Sequence, residues 1–185
     1  MKLYLVRHAV AYEHGDPNFP NDDERPLTPK GRKQFEKAAA GLLDLIDPPA
    51  AILTSPLPRA AQTAAILCTA AGHGESEIVV CEALRPGGQF EQVLHDCLAR
   101  LYGAGSGGED EGEGQNAVAE RGLVLVGHRP GIGLLAAWLL GGEEAGYALP
   151  FDKGGTACIS FDGPPAAGAG ELDWLLTPKI MRRLR

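Results

Sequence analysis

No stretch of this 185-residue chain approaches the roughly 20 consecutive apolar residues that a membrane-spanning helix requires. Basic charge is also scarce. Lys and Arg number 17 against 24 Asp and Glu, giving a net charge of −7. A general nucleic-acid face is therefore not expected, because such binding needs a basic surface that displaces counterions. A phosphorylated substrate is not excluded, since a few local arginines dominate the field of a pocket. Cysteine is sparse as well: Cys68, Cys81, Cys97 and Cys158 are widely scattered. They have neither the close spacing of a zinc site nor the density of a disulfide framework. Reduced thiols and a cytoplasmic location are the expectation. The apolar run behind Lys2 is too short for the core of a signal peptide, and no internal repeat is present.

Hydrophobic residues make up 44% and charged residues 22% of the chain, which suits one globular domain over residues 1–185. Leu3 to Val6 is continuously apolar and reads as a strand buried on both faces. It ends abruptly in Arg7-His8, which puts a fixed cation and an ionisable imidazole at the rim of a sheet. A polar segment from about Glu13 to Pro26 reads as a surface loop. Thr28-Pro29 then suits the N-cap and first position of a helix. The apolar stripe Phe35, Ala38, Ala39, Leu42, Leu43 and Ile46 carries that helix to Asp47-Pro48-Pro49.

Ala50 to Thr54 reads as a second strand, and Ser55-Pro56 turns it into a helix over about Pro58 to Ala71. A third strand is expected over Glu77 to Cys81, with Ile78, Val79 and Val80 as its core, and a helix from about Phe90 to Leu101. Residues 103–116 form an acidic, Gly-rich stretch, expected to be a flexible loop. Leu123 to Val126 is the fourth strand and ends in Gly127-His128. A helix from Ile132 to Leu140 follows, stopped by Gly141-Gly142. Thr156 to Phe161 and Leu172 to Leu176 read as a hairpin-like pair or edge strands. This alternation predicts a three-layer α/β/α domain around a largely parallel sheet.

Three strand ends carry related chemistry: Arg7-His8, then Ser55 through Arg59 and Gln62-Thr63, then Gly127-His128-Arg129-Pro130. In a parallel sheet such ends share one edge, the edge at which α/β folds bind ligands. Arginines and histidines gathered there suit an anion, and phosphate accepts bidentate bonds from guanidinium. In this order the three elements resemble the histidine phosphatase superfamily, which includes the phosphoglycerate mutases. Its signature reads here Leu5-Val6-Arg7-His8-Ala9, with Ala9 where a glycine is usual. The segment Arg25-Pro26-Leu27-Thr28-Pro29-Lys30-Gly31 is similar to an element common among the SixA-type phosphohistidine phosphatases. The chain is also short between Glu82 and Arg121, where mutases and acid phosphatases insert a helical cap.

The resemblance implies a phosphoglycerate mutase-like fold with a minimal cap and a hydrolase without cofactor or metal. It assigns His8 as nucleophile and Arg7, Arg59 and His128 as phosphate-holding catalytic residues. Glu82 is a candidate general acid or merely the partner of an arginine. Arg25 is a phosphate contact or a loop anchor. Ser55 reads as a turn and cap residue, and His14, His73 and His95 as surface or loop histidines. The expected substrate is phosphohistidine on a protein, such as a relay or carrier domain, met by a monomer that binds neither nucleic acid nor membrane. A general phosphomonoesterase or mutase and a catalytically silent phosphate-binding module are the alternatives.

Overall fold

A computed structural model describes residues 1–74, 78–102 and 122–185. The expected 103–116 loop lies outside the described residues. Among the described residues six strands form one sheet: β1 (Lys2–Arg7), β2 (Ala51–Thr54), β3 (Ile78–Val80), β4 (Leu123–Gly127), β5 (Thr156–Ser160) and β6 (Glu171–Leu176). Their order is β3-β2-β4-β1-β5-β6. β3, β2, β4 and β1 run parallel, whereas β5 is antiparallel to both β1 and β6. β5 and β6 do form the expected antiparallel pair, yet only β6 is an edge, because β1 covers the other side of β5. β3 is the opposite edge, which leaves Val80 58% exposed.

Among the described residues five helices flank the sheet: α1 (Pro29–Leu43), α2 (Pro58–Ala70), α3 (Phe90–Tyr102), α4 (Gly131–Gly141) and the short α5 (Pro178–Met181). The pleat of β1 divides the core between two layers. Leu3 and Leu5 join α3 and α4 residues such as Val93, Ile132 and Leu135. Tyr4 and Val6 join Phe35, Ala38 and Leu42 of α1, Ala60 and Ala64 of α2, and Met181 of α5. The central strands are buried on both faces, so their consecutive apolar residues have no polar alternation. Among the described residues no helix is long and apolar enough to cross a membrane.

α1 begins where the sequence indicates. Thr28 is the N-cap, and its hydroxyl accepts from Gly31 N at 2.9 Å. The helix stops at Leu43, short of Asp47, with Asp44 as its C-cap. Gly31 is required for packing: a Cβ there would lie 2.0 Å from Val10 O. That close approach fixes α1 against the chain leaving β1, two residues beyond His8.

Candidate active site

The register of the parallel strands aligns the three chemical junctions. Arg7 lies opposite Gly127, His8 N donates to Gly127 O at 3.0 Å, and Ser55 N donates to Val126 O at 3.0 Å. The sheet thus delivers Arg7-His8, Ser55 and His128 to one edge. Both imidazoles are buried, His8 7% and His128 3% exposed, with ring centroids 5.1 Å apart.

The tautomer of His8 follows from its partner. Nδ1 lies 2.8 Å from Ala9 O, and a carbonyl can only accept, so Nδ1 carries the proton and Nε2 keeps its lone pair. Ala9 is itself fixed, since its N–H donates to Thr63 Oγ1 at 3.0 Å and its side chain packs in the α1–α2 core. The Thr63 hydroxyl in turn donates to Arg59 O at 2.7 Å. Ala9 therefore serves the site through its backbone, and its methyl group is absorbed by the core. Gln62 Oε1 accepts from Leu27 N at 2.9 Å, tying α2 to the segment before α1.

His128 Nε2 lies 2.8 Å from Ser55 Oγ. Ser55 does not cap α2, whose N-cap is Leu57 without a side-chain bond. Ser55 Oγ already accepts from Leu57 N at 3.4 Å, so with its own proton donated to Nε2 the His128 proton sits on Nδ1. That nitrogen is buried and has no protein hydrogen-bond partner, as are Arg7 Nε and Arg59 Nε. Leaving such a group unpaired costs about 1–3 kcal/mol, and these three belong to the residues at the strand ends and the start of α2. Thr156 Oγ1 is the fourth such atom among the described residues.

A carboxylate not singled out by the sequence organises the guanidinium groups. Asp22 Oδ1 accepts from Arg25 Nε at 2.8 Å and lies 2.7 Å from Arg25 Nη2. Its Oδ2 lies 3.3 Å from Arg59 Nη2, and its backbone oxygen accepts from Arg59 Nη1 at 2.7 Å. His14 Nδ1 donates to Oδ1 at 2.6 Å. The His14 bond and the Arg25 contacts hold the Asp22 carboxyl below the usual carboxylate range. Arg25 Nη1 also donates to Tyr12 O, so Arg25 is bonded within its own loop. Arg7 Nη1 donates to Phe151 O at 2.8 Å.

Glu82 faces solvent with its side chain 71% exposed and pairs with Arg85 Nε at 2.7 Å. Arg85 also reaches Asp23 Oδ2 at 3.3 Å, which links this turn to the Asp22 loop. Arg129 is exposed. His73 bonds Pro49 O and His95 meets Asp96, both away from the cluster. Trp174 stacks near Tyr4. Among the described residues no three His, Cys, Asp or Glu side chains form a metal-ligand set.

Burial pushes His8 down to about 4, opposed by the Ala9 bond and reinforced by Arg59 and Arg7. Burial, then His8 and Arg59, pushes His128 down to about 3. Unfolded imidazoles titrate near ~6.5, so between that pH and about 4 the unfolded chain binds more protons. Acidification through this window therefore favours unfolding, and the contribution is fully present above ~6.5. Denaturant unfolding from pH 7 down to pH ~4.5 should show stability falling, and falling less steeply in His8→Ala. An identical slope in the variant would contradict a neutral, buried His8.

The model of the histidine phosphatase superfamily (branch 1) matches residues 3–121. An uncharacterized protein of Picosynechococcus sp. is 35% identical over 155 residues, spanning 84% of this chain and 82% of that one. The fold is similar to the protein histidine phosphatase SixA complexed with tungstate, at a TM-score of 0.70 and 24% identity, covering 98% of this chain and 99% of that one. It is also similar to a mycobacterial glucosyl-3-phosphoglycerate phosphatase complexed with VO3, at a TM-score of 0.58 and 21% identity, covering 95% and 99%. The aligned strand ends and the matched family model lead to one conclusion: this chain belongs to the histidine phosphatase superfamily.

Proposed function

We propose that this protein is a phosphatase that forms a phosphohistidine intermediate on His8 and takes its phosphate from phosphohistidine displayed on another protein. The observation that carries the reading is the bond from His8 Nδ1 to Ala9 O, which leaves Nε2 unprotonated and buried beside cations. Nε2 attacks phosphorus in line; the N–P bond to His8 forms as the substrate's P–N bond breaks. Arg7 and Arg59 hold the non-bridging oxygens, and His128 Nδ1–H donates to the phosphoryl group as its charge spreads. Arg25 steadies Asp22, and Asp22 steadies Arg59. Water then attacks phospho-His8, releasing inorganic phosphate and the neutral imidazole. The guanidinium groups supply the positive charge, so no metal ion enters the mechanism.

The leaving group supports the choice of substrate. An alkoxide needs a proton from the enzyme, whereas an imidazole protonated before cleavage brings its own. Asp22 is held ionised and Glu82 is engaged by Arg85, so neither carboxyl is a ready acid. The shared fold with a glucosyl-3-phosphoglycerate phosphatase supports a small-molecule phosphomonoesterase as the second reading, with Glu82 as its acid after release from Arg85. A chelator-treated assay on a phosphohistidine protein, an aryl phosphate and 3-phosphoglycerate separates the two. The expected order is phosphohistidine first and phosphoglycerate last, with kcat/KM at least about 100-fold apart. Turnover of phosphoglycerate without action on phosphohistidine would sink the first reading, and no turnover of any substrate would favour a silent binding module.

A further inference from the structure

A basic trough lies between α1 and the segment around α5. Its inner part is a cavity of about 270 Å³ lined by Ala9, Val10, Gln34, Asp152, Lys179 and Arg182, among others. Its outer part shares Gln34 and Arg182 and adds Lys30, Lys33 and Lys37. The three lysines fall at i, i+3 and i+7 of α1, one face of a helix, and span about 10 Å at 1.5 Å per residue. Lys179 and Arg182 oppose them from α5 and the residue after it. None of these five cations is in a salt bridge among the described residues.

This grouping is unusual for a chain of net charge −7. Like charges on one helix face repel, so an unpaired cluster lowers stability slightly unless something anionic meets it. The inner cavity is walled by Asp152 and Lys153, next to Phe151, whose carbonyl oxygen accepts from Arg7 Nη1, so a molecule seated there lies beside the segment that holds Arg7. Three helix-borne cations spread over about 10 Å suit several carboxylates along an extended segment. Ile180, 45% exposed, follows Lys179 in the chain, and Leu184, 44% exposed, lies two residues beyond Arg182. Apolar residues beside cations suit a protein interface with a charged rim.

We infer that this trough docks an acidic segment of the phosphoprotein substrate, carboxylates against Lys30, Lys33, Lys37, Lys179 and Arg182. The inference rests on the phosphohistidine reading for its substrate and on the trough for its place. It is tested with two synthetic phosphohistidine peptides, one flanked by glutamates and one by glutamines, and with free phosphohistidine as a small control. The wild type should favour the acidic peptide by about tenfold in kcat/KM, through KM, and the preference should shrink as salt is raised. In the exposed double variant Lys33→Glu/Lys37→Glu the preference should fall to within about twofold, with free phosphohistidine hydrolysed as before.

Fluorescence anisotropy of the labelled, unphosphorylated acidic peptide reads the surface without chemistry. Tight binding of that peptide with no hydrolysis of any phosphohistidine would fail the proposed function while upholding the trough. Equal treatment of the two peptides in both assays would overturn the docking surface, as would an equal loss on peptide and free phosphohistidine in the double variant. Tighter binding of a DNA oligonucleotide or of phosphatidylglycerol vesicles than of the acidic peptide would also overturn it.

Discussion

Replacing His8 by alanine should lower kcat by about 10⁴-fold or more, because a covalent route vanishes with its nucleophile. At 1.36 kcal/mol per tenfold, that is a loss of about 5.5 kcal/mol of transition-state stabilisation. The fold should survive, since His8 contributes one side-chain bond, to Ala9 O, and the strand beneath it is held by its backbone. A melting curve at pH 7.5 distinguishes chemical loss from unfolding. His8→Asn is a useful companion, being similar in size and able to keep a donor towards Ala9 O without a nucleophilic nitrogen. Both variants should be equally inactive. Activity within tenfold of wild type in either would remove His8 from the mechanism.

The second large effect is expected at Arg59. This side chain is 3% exposed and is fixed by two bonds to Asp22, so its charge is already oriented before phosphate arrives. Such preorganised donors are worth about 10²–10³ in rate, and Arg59→Ala should lose that much in kcat/KM. Arg59→Lys should lose nearly as much, because a single ammonium cannot bond both Asp22 and a phosphoryl oxygen in a planar fork. Inhibition by inorganic phosphate should weaken in parallel in both variants. Full retention of kcat/KM in the lysine variant would mean that Arg59 supplies only bulk charge.

The sequence made the edge that gathers Arg7, His8 and His128 legible because these residues sit at strand ends that periodicity locates well. β1 and β4 are uninterrupted apolar runs, and Arg7-His8 and Gly127-His128 follow them directly. Thr28, Pro29 and Gly31 likewise mark the start of α1 through local chemistry. Asp22 was not legible for the opposite reason. It is one of several acidic residues in a polar loop, and its importance comes from contacts to Arg59, 37 residues away. Ser55 reads as a turn residue because Pro56 follows it, and its Oγ does accept from Leu57 N at 3.4 Å; its bond to His128, 73 residues distant, has no local sign. Ile78-Val79-Val80 reads as a strand and is one, but its place at the edge of the sheet was not legible, because a local pattern carries no strand order.

The orientation of His8 is the central claim, and the isomer of the trapped intermediate tests it directly. Wild-type protein quenched in alkali during turnover should carry one phosphoryl group that is stable to base and labile to acid. Peptide mapping should place it at residue 8, and phosphorus NMR should identify the Nε2-linked isomer, because Nδ1 is committed to Ala9 O. Phosphate at Nδ1 of His8, at His128, or at no residue while turnover continues would contradict the account.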